Sequence, residues 1–269
     1  MNPGRWQPGI ITRFVQLLPT STNVVRVDTH AGEGFLKAIG NPEGPHALAC
    51  ELVGTQLAEW LGLRTLEYAV VEVTDDDEIP LTDGRIAMPG PAFITRAEKG
   101  FSWGGDADLL RRIRNPEDIS GLVALDTWIR NCDRFRPEPR LRINRDNVFL
   151  TWEREQGNGP VLRAIDHTHA FTCGGDLTRR IGHLDEIRDA TVYGCFPEFL
   201  PFLDPAHVAA ATNRLGGMTM AIAERVVASV PGEWQVEESA REAWVRFISE
   251  RAMFVAGSLP AWLAALRDT

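Results

Sequence analysis

Apolar and polar residues alternate with the two-residue period of half-buried strands over about the first hundred residues and almost nowhere else; most of the remaining 269-residue chain follows the helical period. That segregation constrains the fold more than any other feature of the sequence. Strands gathered first and helices gathered second predict an α+β molecule of two lobes with a cleft between them.

Strand signals, rich in β-branched residues, fall at 10–18, 24–28, 34–39, 66–73 and 85–92. One helix interrupts them at about 45–61, opened by Pro45 and closed by Gly62, with turns at 75–78 and at Asp83-Gly84. Beyond residue 96, helices are expected at 106–114, 116–130, 205–230 and 233–256. Among these, the apolar runs 147–151 and 161–165, separated by the turn-like 155–160, predict a hairpin inside the helical lobe. There is no internal repeat and no long linker, so the lobes are assigned to 1–95 and 96–269.

Charge narrows the partners. With 28 basic and 37 acidic residues the chain carries −9, which argues against nucleic acid and against stable association with an anionic membrane, since both need clustered Lys and Arg. The most apolar stretch, 252–266, is broken by Gly257, Ser258 and Pro260 and is too short to span a bilayer. The segment after Arg5 is broken by Thr12, Arg13 and Gln16, so no signal peptide is expected and the protein is placed in the cytoplasm. Cys50, Cys132, Cys173 and Cys195 form no Cys-x-x-Cys and read as reduced thiols. Only two of the basic residues are lysines, Lys37 and Lys99.

Lys37 lies in a strand with apolar neighbours on both sides. A buried ammonium there needs a charge partner or an anionic ligand, whereas an edge-strand lysine snorkels into water. Glu51, on the face of the first helix that carries Ala47, Leu48, Gly54 and Ala58, is either a boundary glutamate or the residue that orients Lys37. Upstream, Thr29-His30-Ala31-Gly32-Glu33-Gly34 is a turn whose Gly32 and Gly34 would let backbone N–H groups approach phosphates, or is a plain β-turn.

The densest signal is in the second lobe. Asp133 closes the run Asp126-Thr127-Trp128-Ile129-Arg130-Asn131-Cys132-Asp133; Asn147 opens Asn147-Val148-Phe149-Leu150; Asp166 follows Ala164-Ile165. Transfer of a phosphoryl group needs a carboxylate near the attacking hydroxyl and side-chain oxygens that hold divalent metal against the phosphates. Asp133, Asn147 and Asp166 have those chemical types in that order, each at the edge of an apolar element. Taken singly, each also suits a helix cap or an Asx turn.

These three segments resemble the catalytic and metal-binding motifs of HipA-like kinases and of type II phosphatidylinositol 4-kinases, within the protein-kinase-like superfamily, over about residues 24–200. The resemblance implies a two-lobed protein-kinase-like fold with a β-rich N-lobe, one helix in it, and a mainly helical C-lobe. It implies an ATP- and Mg²⁺-dependent kinase acting on a hydroxyl, with protein Ser/Thr as the first acceptor. A soluble small molecule, a phosphoinositide, or a non-catalytic nucleotide-binding role are the alternatives. By the same resemblance Asp133 orients the acceptor hydroxyl, Asn147 and Asp166 bind metal, and Lys37, braced by Glu51, contacts the α- and β-phosphates. The hinge falls at 93–97, with Thr95 and Ala97 at the nucleotide, and Phe149 and Ile165 lie near the adenine.

Two departures stand out. Asp133 and Asn147 are 14 positions apart, so 135–146 must loop out. Its Arg136, Arg140, Arg142 and Arg145 either bind an acidic or phosphorylated substrate or solvate the loop. Asp166-His167-Thr168 also lacks the glycine of the kinase Asp-Phe-Gly motif. A rival reading takes Asp166, His167 and His169 as a His-x-His metal site for hydrolysis, with both imidazoles on one face of a strand.

Overall fold

A computed structural model describes residues 6–152 and 159–267. Arg5 and most of the 155–160 turn lie outside the described residues. The first half is an antiparallel sheet of β1 (Ile11–Leu17), β2 (Val25–Thr29), β3 (Gly32–Lys37), β4 (Tyr68–Val73) and β5 (Gly90–Arg96) in the order β1-β2-β3-β5-β4. Between β3 and β4 in sequence lies α1 (Pro45–Leu61). Pro45 sits in its first turn, and Gly62 ends it in the left-handed conformation (φ 95°), its N–H reaching the carbonyls of Ala58 and Glu59.

The two faces of the sheet bury different things. Val25, Val27, Leu36, Val71 and Ile94 form a small core with Trp6, Ile79 and Leu81. The larger core runs from Phe93 and Tyr68 through α1 into the second half. α1 is buried nearly all round, wedged between the sheet and the helices, which is why its sequence is apolar on several faces.

The second half comprises β6 (Gly100–Ser102), α2 (Ala107–Leu110), α3 (Glu117–Ile129), β7 (Phe135–Arg136), β8 (Arg142–Ile143), β9 (Phe149–Thr151), β10 (Val161–Arg163), α4 (Leu184–Ile187), α5 (Pro205–Leu215), α6 (Met220–Ala228) and α7 (Glu238–Arg267). The expected hairpin is present as β9 and β10, with β6 as a third strand. The overall class is the expected one, a β-rich first part and a helical second.

Several elements differ from the sequence reading. The strand expected at 85–92 starts at Gly90 instead. Upstream, Ala87 N–H bonds Ile79 and Met88 N–H bonds Ile39, and Pro89 has no N–H, so the ladder with β3 and β4 begins only afterwards. Of residues 93–97, expected as the hinge, 93–96 belong to this central strand. The helix expected at 106–114 shrinks to α2, because Arg114 N–H is drawn to the Pro160 carbonyl of the hairpin. The 205–230 helix splits at Gly216-Gly217 into α5 and α6. α7 runs through Pro260 to Arg267, carried by burial of Leu259 and Leu263. Among the described residues no helix is long and apolar enough to cross a membrane.

Candidate active site

Side-chain alternation along β3 turns Phe35 and Lys37 toward a cavity between the sheet and the β9–β10 hairpin. Phe93, Thr95, Phe149 and Ile165 wall its apolar part, and the β1–β2 connection, through Leu18, Thr20 and Val24, forms another side. The inner end is ionic. Lys37 Nζ lies 2.6 Å from Glu51 Oε2 and 3.3 Å from Asp166 Oδ1, and donates to Thr168 Oγ1 at 2.8 Å. Thr168 passes the bond on, donating to Glu51 Oε2 at 2.7 Å, while His167 N–H reaches Glu51 Oε1 at 3.3 Å.

Electrostatics follow from this packing. Burial works against the Lys37 ammonium, but Asp166 and Glu51 outweigh it and raise its pKa. Burial likewise opposes ionisation of Asp166, yet the charges of Lys37 and Arg134 hold its carboxyl at about 2. Asp166 is in the left-handed region at φ 57°, a conformation aspartate tolerates better than most residues. Two donors fix it there: Arg134 donates to the Ile165 carbonyl at 2.8 Å and Asn131 Nδ2 to the Asp166 carbonyl at 3.4 Å. Arg134 is itself anchored at 2.7 Å on Asp126, both side chains being fully buried.

Asp133 follows in the same loop. Asn147 Nδ2 donates to its Oδ2 at 2.7 Å and Asn144 Nδ2 at 3.2 Å, while His169 Nδ1 stands 3.3 Å from Oδ1 and Arg142 pairs with the same oxygen. Burial raises the Asp133 pKa, and the bond and charge of His169 with the charge of Arg142 outweigh it, leaving the carboxyl below its ordinary value. His169 extends the chain to Glu43 Oε2 at 3.3 Å, and its hydrogen bond to Asp133 raises its pKa to about 9.

A sequence profile of the HipA-like kinases matches residues 35–254. This chain belongs to that family. The crystal structure of the Helicobacter pylori proinflammatory kinase CtkA is similar in fold to this HipA-like kinase, with a TM-score of 0.58 at 12% identity over 97% of this chain and 100% of that one. HipA of Shewanella oneidensis MR-1, seen with HipB and its operator DNA, aligns with a TM-score of 0.45 at 11% identity over 100% of this chain and 68% of that one. No curated protein matches the sequence.

The structure of the HipA-like kinase brings Lys37, Glu51, Thr95, Phe149, Ile165 and Asp166 to one cavity, and joins Asn147 and Asp133 by a hydrogen bond beside it. Gly32, Gly34 and Ala97 do not line that cavity. Gly32 (φ 104°) makes the tight β2–β3 turn. Gly34 faces the other side of β3, where a Cβ would lie 2.6 Å from Ile94 Cδ1 and 2.9 Å from the Thr95 carbonyl, so the close approach of β5 accounts for it. Ala97 N–H is taken up by the Glu33 carbonyl at 2.9 Å. The loop that meets the cavity from above β3 is the polar 18–24 instead; its Thr and Ser residues between two strand signals were the available clue.

The His-x-His reading fails on geometry. Residues 166–169 are not a strand, and the two imidazoles have separate environments. His167 is fully buried against Gly54 of α1, its pKa pushed down to about 4 by burial, and neither ring nitrogen has a partner among the described residues. His169 bridges Asp133 and Glu43. Thr168 was missed as a member of the site, and His169 was read only as a ligand of the rival metal site, because the sequence carries no periodic signal for a turn that packs onto a distant helix. The 135–146 insertion is a short hairpin, β7 on β8, that folds Arg142 back onto Asp133 and sets Arg145 on Glu198.

Proposed function

We propose that the protein is an ATP- and Mg²⁺-dependent kinase that phosphorylates a hydroxyl, with protein Ser/Thr as the first acceptor to test. The observation that carries this is the Lys37–Glu51–Thr168–Asp166 cluster at the inner end of an apolar slot: one anchored ammonium beside one ionised carboxylate, next to a space walled by Phe93, Phe149 and Ile165.

The donor set fits a hard divalent cation. Asp166 offers a carboxylate of low pKa, and the N–H of Asn147 is occupied by Asp133, which leaves its amide carbonyl to face a metal. Asp166 and Asn147 would hold Mg²⁺, whose charge would neutralise the phosphate oxygens. The apolar slot takes the adenine, and Lys37, held in place by Glu51 and Thr168, engages the phosphates electrostatically. Asp133 accepts the hydrogen bond of the acceptor hydroxyl and aligns it. The acceptor oxygen then bonds to the γ-phosphorus as the bridging bond to ADP breaks, and the hydroxyl proton passes to the Asp133 carboxylate.

Calorimetric titration of ATP with and without Mg²⁺, into wild type and Asp166→Ala, tests the nucleotide site. Magnesium-dependent binding that the variant loses is expected. No binding to the wild type at several millimolar would sink the reading. ADP release or self-labelling abolished by Asp133→Ala would distinguish a kinase from a nucleotide-binding regulator.

A further inference from the structure

A second cavity adjoins the Asp133 loop. It is walled by Arg130 from the entry to that loop, Arg136 and Arg140 from the inserted hairpin, and Thr172, Cys173 and Arg180 from the segment after Asp166. Four guanidinium groups thus meet in a chain whose net charge is −9. Two carboxylates also border the cavity: Glu186 pairs with Arg130 and Arg180, and Asp176 is exposed and faces His46. Arg130 is further held by Asp189. Arg136 and Arg140 have no carboxylate within ion-pair distance among the described residues. Both come from the insertion that separates Asp133 from Asn147.

Uncompensated arginines around a polar cavity are an anion site, and their planar forks suit the oxygens of a phosphoryl group. The site is tied to the Asp133 loop at short range. Cys132, the residue before Asp133, donates its thiol to the His169 carbonyl at 4.0 Å, and Cys173 in the cavity wall donates its own to the Arg130 carbonyl at 3.9 Å. Arg130 and Arg136 are each three residues from Asp133, so the chain holds them within ~10–11 Å of it, a span that about three residues of an extended acceptor peptide cover.

We propose that this cavity is an acceptor subsite that binds the phosphoryl group of a phosphoserine or phosphothreonine close to the hydroxyl being modified. The assignment of the ligand to an acceptor rests on the kinase reading; the anion site itself does not.

Cys173 supplies the reporter. It lines the cavity, half-buried, while Cys50, Cys132 and Cys195 are buried. The adjacent Cys132 thiol and the charges of Arg130 and Arg136 lower the Cys173 pKa to about 7. Iodoacetamide labelling of the nucleotide-free protein, mapped by mass spectrometry, is followed with N-acetyl-phosphoserine amide, inorganic phosphate or N-acetyl-glutamate amide as probe. Phosphoserine amide at about four times its Kd should slow Cys173 alkylation about fivefold, because only the free fraction reacts. The ratio with and without probe should fall to about one in Arg136→Gln/Arg140→Gln. No protection of wild type, or equal protection in the double variant, overturns the proposal. Protection by the glutamate amide equal to that by phosphoserine amide overturns the phosphoryl assignment. If Thr172 or Thr178 of the purified protein is phosphorylated and phosphatase treatment exposes Cys173, the site is filled by this chain itself and the acceptor assignment falls. Mg²⁺-ATP titration of the same sample separates these results from a failure of the kinase reading.

Discussion

Gly54 packs α1 directly onto the residue after Asp166. A Cβ at this position would lie 2.3 Å from His167 Cβ and 2.8 Å from its Cγ. Gly54→Ala therefore sets two effects against each other. In a helix interior alanine is better than glycine by ~1 kcal/mol. Here the new methyl falls about 1.5 Å short of the ~3.5–4.0 Å at which carbon atoms make good contact. Neither side yields easily, because His167 is fully buried and α1 is wedged between β5 and the helices α3, α5 and α6. Overpacking of a tight core costs ~1–3 kcal/mol, and a contact as close as 2.3 Å puts this position at the upper end, so after the helix gain a net loss of ~2 kcal/mol is expected. The displacement also falls on Glu51, three positions earlier on the same helix face, and so on the bonds to Lys37 and Thr168. Urea unfolding measures the first effect and phosphoryl transfer the second. His167→Ala removes the ring but leaves the closest contact, so it relieves Gly54→Ala only in part; His167→Gly should relieve it fully. A Gly54→Ala protein more stable than wild type would refute the argument, since helix propensity alone would then govern the position.

Three further outcomes follow from the same contacts. Asp126→Asn keeps the shape of the fully buried pair with Arg134 but strands the guanidinium, and should cost ~3–5 kcal/mol in urea unfolding; a loss below ~1 kcal/mol would mean the pair is not held apart from water. Because the His169 pKa is raised to about 9, its pairing with Asp133 and Glu43 adds stability fully present below the ordinary ~6.5 and lost as pH rises through about 9; the stability gap between wild type and His169→Gln should close on that upward path, and a gap that widens with pH would contradict it. Thr168→Val removes the hydroxyl shared by Lys37 and Glu51 and should weaken ATP binding about tenfold, of order 1.4 kcal/mol, in calorimetry, with unchanged affinity refuting a role for the relay.

The sequence carried the fold where one rule acted alone. α1 was readable to the residue because Pro45 and Gly62 punctuate a long apolar run. β5 was misplaced because a central strand buried on both faces loses its alternation: Pro91, Ala92, Phe93 and Ile94 are all buried. In the site, Lys37, Glu51, Asp133, Asn147 and Asp166 were legible because their chemistry is conspicuous against apolar neighbours. Thr168, His169 and Glu43 were not. Their partners are 117, 36 and 126 positions away in the chain, and no local pattern encodes a contact at that separation. Gly34 and Gly54 show the opposite case, in which a residue looks chemical or inert by type and only the neighbour that approaches it decides which.

The surroundings of Asp133 bear on what that carboxylate can do. Arg142, His169, Asn144 and Asn147 all direct donors or positive charge at it, and His169 and Arg142 lower its pKa against the effect of burial. A carboxylate so stabilised is a poor base toward a neutral hydroxyl, and early proton abstraction is not the task it is built for. Phosphoryl transfer through a loose transition state does not need one, because little bond to the nucleophile has formed when the leaving group departs. What it needs is a hydroxyl held in line, and under the proposed function a carboxylate fixed by four partners would hold one well. The same partners connect the two ends of the site: His169 reaches Glu43, which lies just ahead of α1, and α1 carries Glu51 to Lys37. A shift of α1 therefore disturbs Lys37 and the surroundings of Asp133 together, through the one helix that the sheet and the helical half share.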